Sequence, residues 1–253
     1  KAILEKVTEK TKAIIIVHFA GYPMNLEGLL KFSRGKNILL IEDCAHAPGA
    51  SLNGKYCGNM ADASFFSFFS NKNLAIGEGG MVFTQDRSSL DKIRLMRSHG
   101  MSAPTLDRHQ GRAFSYDIER VGLNYRADEI RAALGIEQLN KLISGNLKRK
   151  KLTNHYREKL KNSKIIIPFS HDIRNQVSAH HIMPIILPTT SDRSQVMCSM
   201  RDSGIQTSIH YPPFWDFKAY QGQFFPKDSP ITAKICQRQL TLPMFPTMTE
   251  AEV

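Results

Sequence analysis

Two apolar runs with one helix pattern between them constrain the fold of this chain most strongly. The first run, AIIIVHF, covers residues 13–19, and the second, ILLI, covers residues 38–41. Runs rich in β-branched and aliphatic residues are typical of strands buried on both faces of a parallel sheet. Between them, Asn25 is a candidate cap for a helix that ends at Gly35. A strand, a helix and a strand at this spacing predict a βαβ unit with parallel strands.

Two polar side chains follow strands of this predicted sheet. Ligands of open parallel sheets bind outside the carboxyl ends of the strands. Asp43 comes shortly after the ILLI run, and Lys72 follows a third apolar run, ASFFSFFS, over residues 63–70. Each also has an ordinary interpretation, because Asp is common in turns and most lysines are solvated. Taken alone, the two residues leave both interpretations open.

Composition limits the class of protein. With 253 residues, of which 42% are hydrophobic, the chain can bury one large core or two modest ones. No window approaches the ~18 consecutive apolar residues of a membrane span, and the start shows no signal-peptide pattern. The four cysteines are Cys44, Cys57, Cys198 and Cys236. They form no C-x-x-C pair and no metal-binding spacing, which predicts free thiols, no metal site and a reducing, cytoplasmic location.

The charge of the chain indicates anionic partners. The formal net charge is +11 at pH 7, but Lys and Arg are spread along the sequence. The densest group, at 148–151, is typical of a solvated helix face. No zinc-finger, RNP-type or helix-turn-helix signature accompanies it, so nucleic acid is not a predicted partner. A phosphorylated small molecule accounts for the charge as well.

The pattern of the sequence changes after two helix-like segments at about 127–142 and 145–162. Beyond them, short apolar runs alternate with Pro, Ser, Asp and one helix pattern. We therefore predict a large domain with the parallel sheet over 1–163 and a smaller α+β domain over 164–253. Both ends look cut, since the chain starts at Lys rather than Met and stops where a capped helix begins. The N-terminal part of the large domain and the end of the small one are expected to be missing.

Five separated segments together resemble one known family. They read IEDCAHAPGA, FSFFSNKNLAIGEGGMVFT, MRSHG, SYDIERVGLNYRADEIRAALGIEQL and GIQTSIHYPP. In this order, over nearly the whole chain, they resemble the DegT/DnrJ/EryC1/StrS family of PLP-dependent sugar aminotransferases. The resemblance implies fold type I of the PLP-dependent transferases, which is aspartate-aminotransferase-like. This fold has a mainly parallel sheet in its large domain and a small α+β domain at the C-terminus.

The resemblance implies a role for each of four residues at a pyridoxal 5'-phosphate site. Lys72 matches the catalytic lysine that forms the Schiff base with the cofactor and moves the proton, so we expect its pKa to be lowered. Asp43 matches the carboxylate that pairs with the pyridine nitrogen and keeps it protonated. His46 lies where the family has Gln or His beside the phenolic oxygen of the cofactor. Ser67 matches the phosphate-binding serine.

The resemblance also implies partners. Asn124 matches the asparagine that reaches the cofactor phosphate of the neighbouring subunit, which implies a homodimer with shared active sites. His210 and Tyr211 match a small-domain loop at the sugar-nucleotide site, and Arg126 is a further candidate for the substrate phosphates. The expected partners are therefore a nucleotide-linked sugar and an amino-acid donor, with no nucleic acid and no membrane.

The implied activity is transamination of a nucleotide-diphosphate-linked keto-sugar by glutamate or glutamine, in amino-sugar or polysaccharide biosynthesis. One alternative is a PLP- or PMP-dependent sugar dehydratase of the same family, against which the presence of Lys72 argues. A second is a non-catalytic, truncated member that binds only nucleotide-sugar or partners. One feature supports this second alternative. The family carries a Gly-Thr-type loop and a ring-stacking aromatic residue upstream, and neither is in this sequence. The sequence leaves the sugar, the nucleotide and the aminated carbon open.

Overall fold

The computed structural model describes residues 2–102, 109–112, 114–170 and 173–253. Its helices are α1 (Ala2–Lys6), α2 (Glu27–Lys36), α3 (Arg87–Met96), α4 (Glu129–Leu160), α5 (Arg193–Asp202) and α6 (Pro230–Arg238). Its strands are β1 (Ala13–Val17), β2 (Leu39–Asp43), β3 (Ser51–Leu52), β4 (Lys55–Tyr56), β5 (Ala63–Ser67), β6 (Gly80–Thr84), β7 (Gln176–Val177), β8 (Met183–Ile186) and β9 (Gln239–Leu242). Short 3-10 turns lie at Phe19–Gly21, Phe214–Asp216, Lys218–Tyr220, Pro226–Asp228 and Glu250–Glu252.

The largest sheet has the strand order β1-β2-β5-β6. β1 pairs with β2, and β2 with β5, in parallel, whereas β6 runs antiparallel to β5. Helix α2 connects β1 to β2, so the predicted βαβ unit is confirmed. The register aligns Val17, Asp43 and Phe65 near the carboxyl ends of the three parallel strands. This edge is therefore the place where the fold gathers side chains for a ligand.

One face of this sheet forms a hydrophobic core, and the other does not. Alternate residues of β1 and β2 pack with α2 and its flanks in a buried cluster of Ile14, Ile16, Leu26, Ile38 and Leu40. The residues between them point to the other side, where Ile15 is 60% and Leu39 57% exposed. The prediction that these strands are buried on both faces is wrong for this chain. Among the described residues no hydrophobic cluster covers this second face, although its part around Ile41 and Asp43 is half-buried.

The bounds of helix α2 differ slightly from the prediction. Asn25 Oδ1 accepts a hydrogen bond from the Glu27 N–H at 3.0 Å, but Leu26 occupies the cap position. The helix passes through Gly35 and ends after Lys36, because Asn37 takes the left-handed conformation with φ of 53°. Asn tolerates this conformation better than most residues, so it terminates the helix where a glycine was expected.

Helix α4 is one continuous helix rather than the two that the sequence predicts. It starts at Asp128, whose carboxylate accepts from the Arg131 N–H at 2.8 Å, and runs for 32 residues through Gly145. A glycine inside a helix costs only about 1 kcal/mol relative to alanine. The helix offsets this by burying Leu142 before the glycine and Leu152 and Tyr156 after it.

The C-terminal region has its own core around the antiparallel pair β8–β9. Met183, Ile185 and Leu240 pack there against Leu152 and Tyr156 of α4. The one helix pattern noted beyond residue 163 is confirmed as α5. Of the short apolar runs noted there, those near 165–169 and 205–211 form only isolated bridges, Ile166 to Ile186 and Ser208 to Thr241.

Two elements of this region were missed by the sequence analysis. Helix α6 begins with Pro230 and leads directly into β9. Both are short, nine and four residues, which leaves little length for a local pattern to be recognised. The domain boundary at residue 163 stays a prediction.

None of the helices in the described part of the chain combines the length and apolar character that crossing a bilayer requires.

Candidate active site

The first side chain of the candidate site is the carboxylate of Asp43, the last residue of β2. Its Oδ1 accepts a hydrogen bond from the Ala45 N–H at 2.9 Å. This is a turn contact, and within the part of the chain that the structure describes no hydrogen bond occupies the second oxygen of the carboxylate. The side chain is half-buried, so its charge acts in a partly desolvated place.

Lys72 lies in a compact turn that follows β5. Its N–H donates to the Phe69 carbonyl at 2.9 Å, and the turn is closed by the Ile76 N–H, which donates to Phe68 at 2.9 Å. Burial lowers the pKa of the Lys72 amine, and the negative charge of Asp43 opposes that shift. The amine is thus easier to deprotonate than a surface lysine, as expected from the sequence, and it lies within the field of the Asp43 carboxylate.

His46 lies in the loop after β2 and is buried. Its Nδ1 accepts a hydrogen bond from the Ala20 N–H at 3.3 Å. A neutral ring therefore carries its hydrogen on Nε2, which lies 3.0 Å from the Tyr211 hydroxyl. Burial, together with the positive charges of Lys72 and His210, lowers the pKa of His46 to about 3. The ring is a neutral donor to Tyr211 throughout the physiological pH range.

His210 and Tyr211 reach this cluster from the far C-terminal part of the chain. The His210 N–H donates to Gln239 Oε1 at 2.9 Å, and its Nδ1 lies 2.9 Å from Thr241 Oγ1, so β9 fixes the segment. Burial and the charge of Lys72 lower the pKa of His210. Burial and the charge of Asp43 raise the pKa of Tyr211. Five predicted site residues therefore lie together.

The other three predicted residues are not joined to this cluster by a side-chain contact. Ser67 is the last residue of β5, and its Oγ accepts from the Phe69 N–H at 3.4 Å. Arg126 Nε donates to Asn124 Oδ1 at 3.1 Å, and both residues are exposed. The roles of all three stay predictions, and that of Asn124 requires a second subunit.

A second layer behind the cluster was missed by the sequence analysis. The rings of His181 and His46 are in tilted contact, with centroids 4.3 Å apart and an interplanar angle of 44°. Burial, with the charges of His46 and Lys72, lowers the pKa of His181 to about 2. Asn73, next to Lys72, hydrogen-bonds to this ring and to Asn146 of α4. The available sequence signal for this layer was the pair of adjacent histidines ahead of an apolar run. The same pattern is equally typical of the start of a strand.

A further cluster lies inside the sheet, one residue away from Asp43. The ligand atoms of His18, Glu42 and Cys44 all lie within 4.8 Å of one another, and the three residues are buried. The Glu42 carboxylate is already occupied, because it accepts from His18 and from the N–H groups of Gly58, Met60 and Ala61. Burial also raises the pKa of the Cys44 thiol. These groups suit a hydrogen-bonded core rather than a metal site.

A parallel sheet that presents a lysine and a carboxylate at the ends of neighbouring strands, with a small antiparallel unit closing over them, is typical of enzymes that use pyridoxal phosphate. The sequence profile of the DegT/DnrJ/EryC1/StrS aminotransferase family matches residues 1–253. The chain belongs to this family.

Three relatives illustrate the likeness. The spore coat polysaccharide biosynthesis protein SpsC of Bacillus subtilis is 32% identical over 253 residues, which are 98% of this chain and 65% of that protein. GDP-perosamine synthase of Escherichia coli O157:H7 is 30% identical over 251 residues, 99% of this chain and 65% of the synthase. The solved structure of PseC of Helicobacter pylori, an aminotransferase involved in the biosynthesis of pseudoaminic acid, is 27% identical, with a TM-score of 0.89, over 99% of this chain and 66% of that one.

These likenesses confirm the predicted family and fold type I. The chain spans 65% of the length of the curated relatives that it matches.

The residues present fit the cofactor that the family implies. Pyridoxal phosphate requires an amine to bind its aldehyde, an anion beside its pyridine nitrogen and a hydrogen-bond partner for its phenolic oxygen. Lys72 offers an amine of lowered pKa, and Asp43 a carboxylate oxygen beyond the one that accepts from Ala45. Both ring nitrogens of His46 are engaged, but the Tyr211 hydroxyl that accepts from its Nε2–H keeps its own hydrogen for a further acceptor.

Proposed function

We propose that this protein is a PLP-dependent aminotransferase that transfers an amino group from glutamate or glutamine to a nucleotide-diphosphate-linked keto-sugar. The net reaction exchanges the amino group of the donor for the carbonyl oxygen of the sugar. The observation that carries the proposal is the placement of Lys72, with its lowered pKa, beside Asp43 at neighbouring strand ends and next to the His46–Tyr211 pair. Membership of a sugar aminotransferase family supports it.

Three side chains of the cluster would hold the cofactor. Lys72 would bind it covalently, Asp43 would face its pyridine nitrogen, and His46 would lie by its phenolic oxygen. Its phosphate would be bound by Ser67 and by Asn124 of a second subunit. When bound, pyridoxal phosphate supplies an electron sink that stabilises negative charge on the carbon attached to the reacting nitrogen.

Lys72 also has the properties of the group that moves the proton. A general acid–base catalyst works best when its pKa lies near the working pH. Burial lowers the pKa of Lys72 towards that range, while Asp43 limits the shift. The same amine can thus both accept and donate a proton at the reacting carbon.

Asp43 and His46 would set the electrostatics around that lysine. Asp43 is fixed by the Ala45 N–H and so presents its charge in one direction. A fixed negative charge beside the pyridine nitrogen keeps that nitrogen protonated. His46, with a pKa of about 3, adds no charge of its own above pH 5. Its role is to orient the Tyr211 hydroxyl, to which its single N–H donates.

The sugar substrate is supported by charge and by the relatives. His210, Tyr211 and Arg126 are the candidate contacts for a sugar linked to a nucleotide diphosphate. The excess of basic residues, +11 in formal charge, suits such an anion. One relative is named as a synthase of GDP-perosamine and another as a protein of spore coat polysaccharide biosynthesis. We infer a role of the same kind here, in a homodimer that shares its sites.

The first test is spectroscopic. Purified protein with pyridoxal phosphate is expected to show a visible absorbance band, and borohydride reduction is expected to leave the cofactor bonded to Lys72 by mass spectrometry. Lys72→Ala should lose the band and at least about 10⁴-fold of the transamination rate, the upper range for one acid–base group. Lys55→Ala, at an exposed lysine of β4, is the matched control. A wild-type protein that stays colourless would sink the proposal.

The substrate and the subunit arrangement need separate measurements. Nucleotide-linked keto-sugars are tested with glutamate and with glutamine, and the amino-sugar product is followed by mass spectrometry. The subunit mass is measured by light scattering on the loaded protein. A monomer with full activity would exclude the shared site and the role of Asn124 in it.

A further inference from the structure

The turn that carries Lys72 is attached to the rest of the molecule through its neighbour, Asn73. The Asn73 Nδ2 group donates to Asn146 Oδ1 at 2.8 Å and to the Ala179 carbonyl at 2.7 Å. Its Oδ1 lies 2.8 Å from Nδ1 of His181. One short side chain thus makes three hydrogen bonds to two distant parts of the chain, 73 to 108 residues away in sequence.

The partners of Asn73 are themselves firmly held. Asn146 is buried in α4, and its Nδ2 donates to the Pro48 carbonyl at 3.0 Å, in the same loop as His46. The His181 N–H donates to the Ala20 carbonyl at 2.9 Å. The His181 carbonyl accepts from Nη1 of the buried Arg149 at 2.9 Å. The turn is therefore fixed to elements whose own polar groups are satisfied.

The directions of these bonds determine the protonation of His181. Both Nδ2 hydrogens of Asn73 point to oxygen atoms, so the amide presents its Oδ1 to His181. An amide oxygen can only accept a hydrogen bond. His181 consequently carries a hydrogen on Nδ1 and none on Nε2 when the ring is neutral. This ring makes a tilted contact with His46, which in turn contacts Tyr211. Asn73 thus positions the backbone beside Lys72 and the support of His46 at the same time.

We propose that Asn73 is a positioning residue, which holds the Lys72 turn in place against the His181–His46 ring contact so that Lys72 meets its substrate beside Asp43. Asn73 does not touch the reacting atoms and is not a catalytic residue. The kinetic part of this inference rests on the proposed function of Lys72. The bracing of the turn itself can be measured without the cofactor.

Asn71 provides a matched control. It is the same residue type on the other side of Lys72, and it is exposed. Asn73→Ala should reduce kcat by about 100-fold, the loss that a displacement of about 1 Å can produce, and leave the KM of the amino donor within about threefold. Asn71→Ala should leave both unchanged. A loss confined to kcat is what misplacement of the proton-transferring amine would cause.

Two measurements do not depend on turnover. In protein without cofactor, the rate of acylation of Lys72 as a function of pH is followed by mass spectrometry. Loosening the turn exposes the amine to water, so the apparent pKa should rise in Asn73→Ala and stay unchanged in Asn71→Ala. Hydrogen exchange should become faster over residues 68–79 in Asn73→Ala only, while β1 and β2 exchange as in wild type.

Asn73→Asp supports the test should the alanine variant fail to fold. It keeps the size of the side chain and the acceptor for His181, but it replaces the Nδ2 donor with a carboxylate oxygen that faces two other acceptors, Asn146 Oδ1 and the Ala179 carbonyl. It should reproduce the loss in kcat and raise the apparent pKa of Lys72 further through its negative charge.

The possible failures are distinguishable. A wild-type protein that binds no cofactor at Lys72 refutes the proposed function. Acylation and hydrogen exchange would still show whether the hydrogen bonds of Asn73 hold the Lys72 turn. A loaded, active wild type whose Asn73 variants match Asn71→Ala in kcat, acylation profile and exchange overturns the role of Asn73 alone.

Discussion

Glu42 and Asp43 are adjacent carboxylates on the same strand, and the structure uses them in opposite ways. Successive side chains of a strand point to opposite faces. Glu42 is fully buried and accepts hydrogen bonds from His18 and three backbone N–H groups. Asp43 is half-buried and accepts one backbone hydrogen bond, from Ala45.

The difference shows how a structural carboxylate can be told from a candidate functional one. A buried carboxylate whose oxygens are all satisfied is stabilised where it is and has nothing left to offer a ligand. A carboxylate at the carboxyl end of a parallel strand, with an available oxygen and a lysine in its field, can still interact with a bound ligand. The four predictions below test this contrast from the largest expected effect to the smallest.

The largest expected effect is on the stability of the Glu42→Ala variant. Removing the carboxylate leaves His18 and the N–H groups of Gly58, Met60 and Ala61 without their buried acceptor. Breaking one side of such a buried network costs about 3–5 kcal/mol. Urea unfolding followed by circular dichroism measures this change in the free energy of unfolding. A loss below about 1 kcal/mol would contradict the structural role of Glu42.

Asp43→Asn should show the reverse pattern. Asn keeps an oxygen to accept from the Ala45 N–H, so the free energy of unfolding should change by less than about 1 kcal/mol. The lost charge should reduce kcat by about 10²–10³-fold, as for other fixed groups that stabilise charge in a transition state. Steady-state kinetics and urea unfolding on the same preparation give both values. Full activity in this variant would remove Asp43 from the site.

The pH dependence of stability should carry the signature of Glu42. Burial raises its pKa, but the hydrogen bonds from His18 and three backbone N–H groups outweigh burial, and the net shift is downwards from 4.5. A depressed pKa stabilises the folded state fully above the unfolded-state value, and this stability is lost as pH falls through the folded-state pKa. Unfolding experiments from pH 7 down to pH 3 should show the loss. Glu42→Gln should flatten the profile, and an equally steep acid limb in that variant would assign the limb to other groups.

The smallest expected effect is that of Tyr211→Phe. This change removes one hydrogen bond, between the Tyr211 hydroxyl and Nε2 of His46, at a partly exposed position. A hydrogen bond of this kind contributes about 0.5–1.5 kcal/mol, so kcat/KM should fall by no more than about tenfold. The pH profile should keep its shape between pH 5 and 8, because the pKa of His46 lies near 3. A new acid limb in that range would mean that Tyr211 keeps His46 neutral.

Much of the fold and of the cluster was accessible from the sequence. The runs at 13–19 and 38–41 predicted the parallel βαβ unit, because hydrophobic periodicity and helix caps are local properties. The resemblance to the family implied Asp43, His46, Lys72, His210 and Tyr211, which the structure brings together. The family was evident from the order of five segments and is confirmed.

Tertiary structure decided what those local patterns could not. Which of the two carboxylates, Glu42 or Asp43, has its oxygens occupied by hydrogen bonds depends on backbone N–H groups 16 to 19 residues further on from Glu42 in the sequence. The second layer, in which Asn73 meets Asn146 and His181, joins positions 73 and 108 residues apart. Single polar residues at such separations leave no periodic signal. Their partners are chosen only when α4 and β8 pack beside the Lys72 turn, since hydrogen bonding depends on the position of both groups.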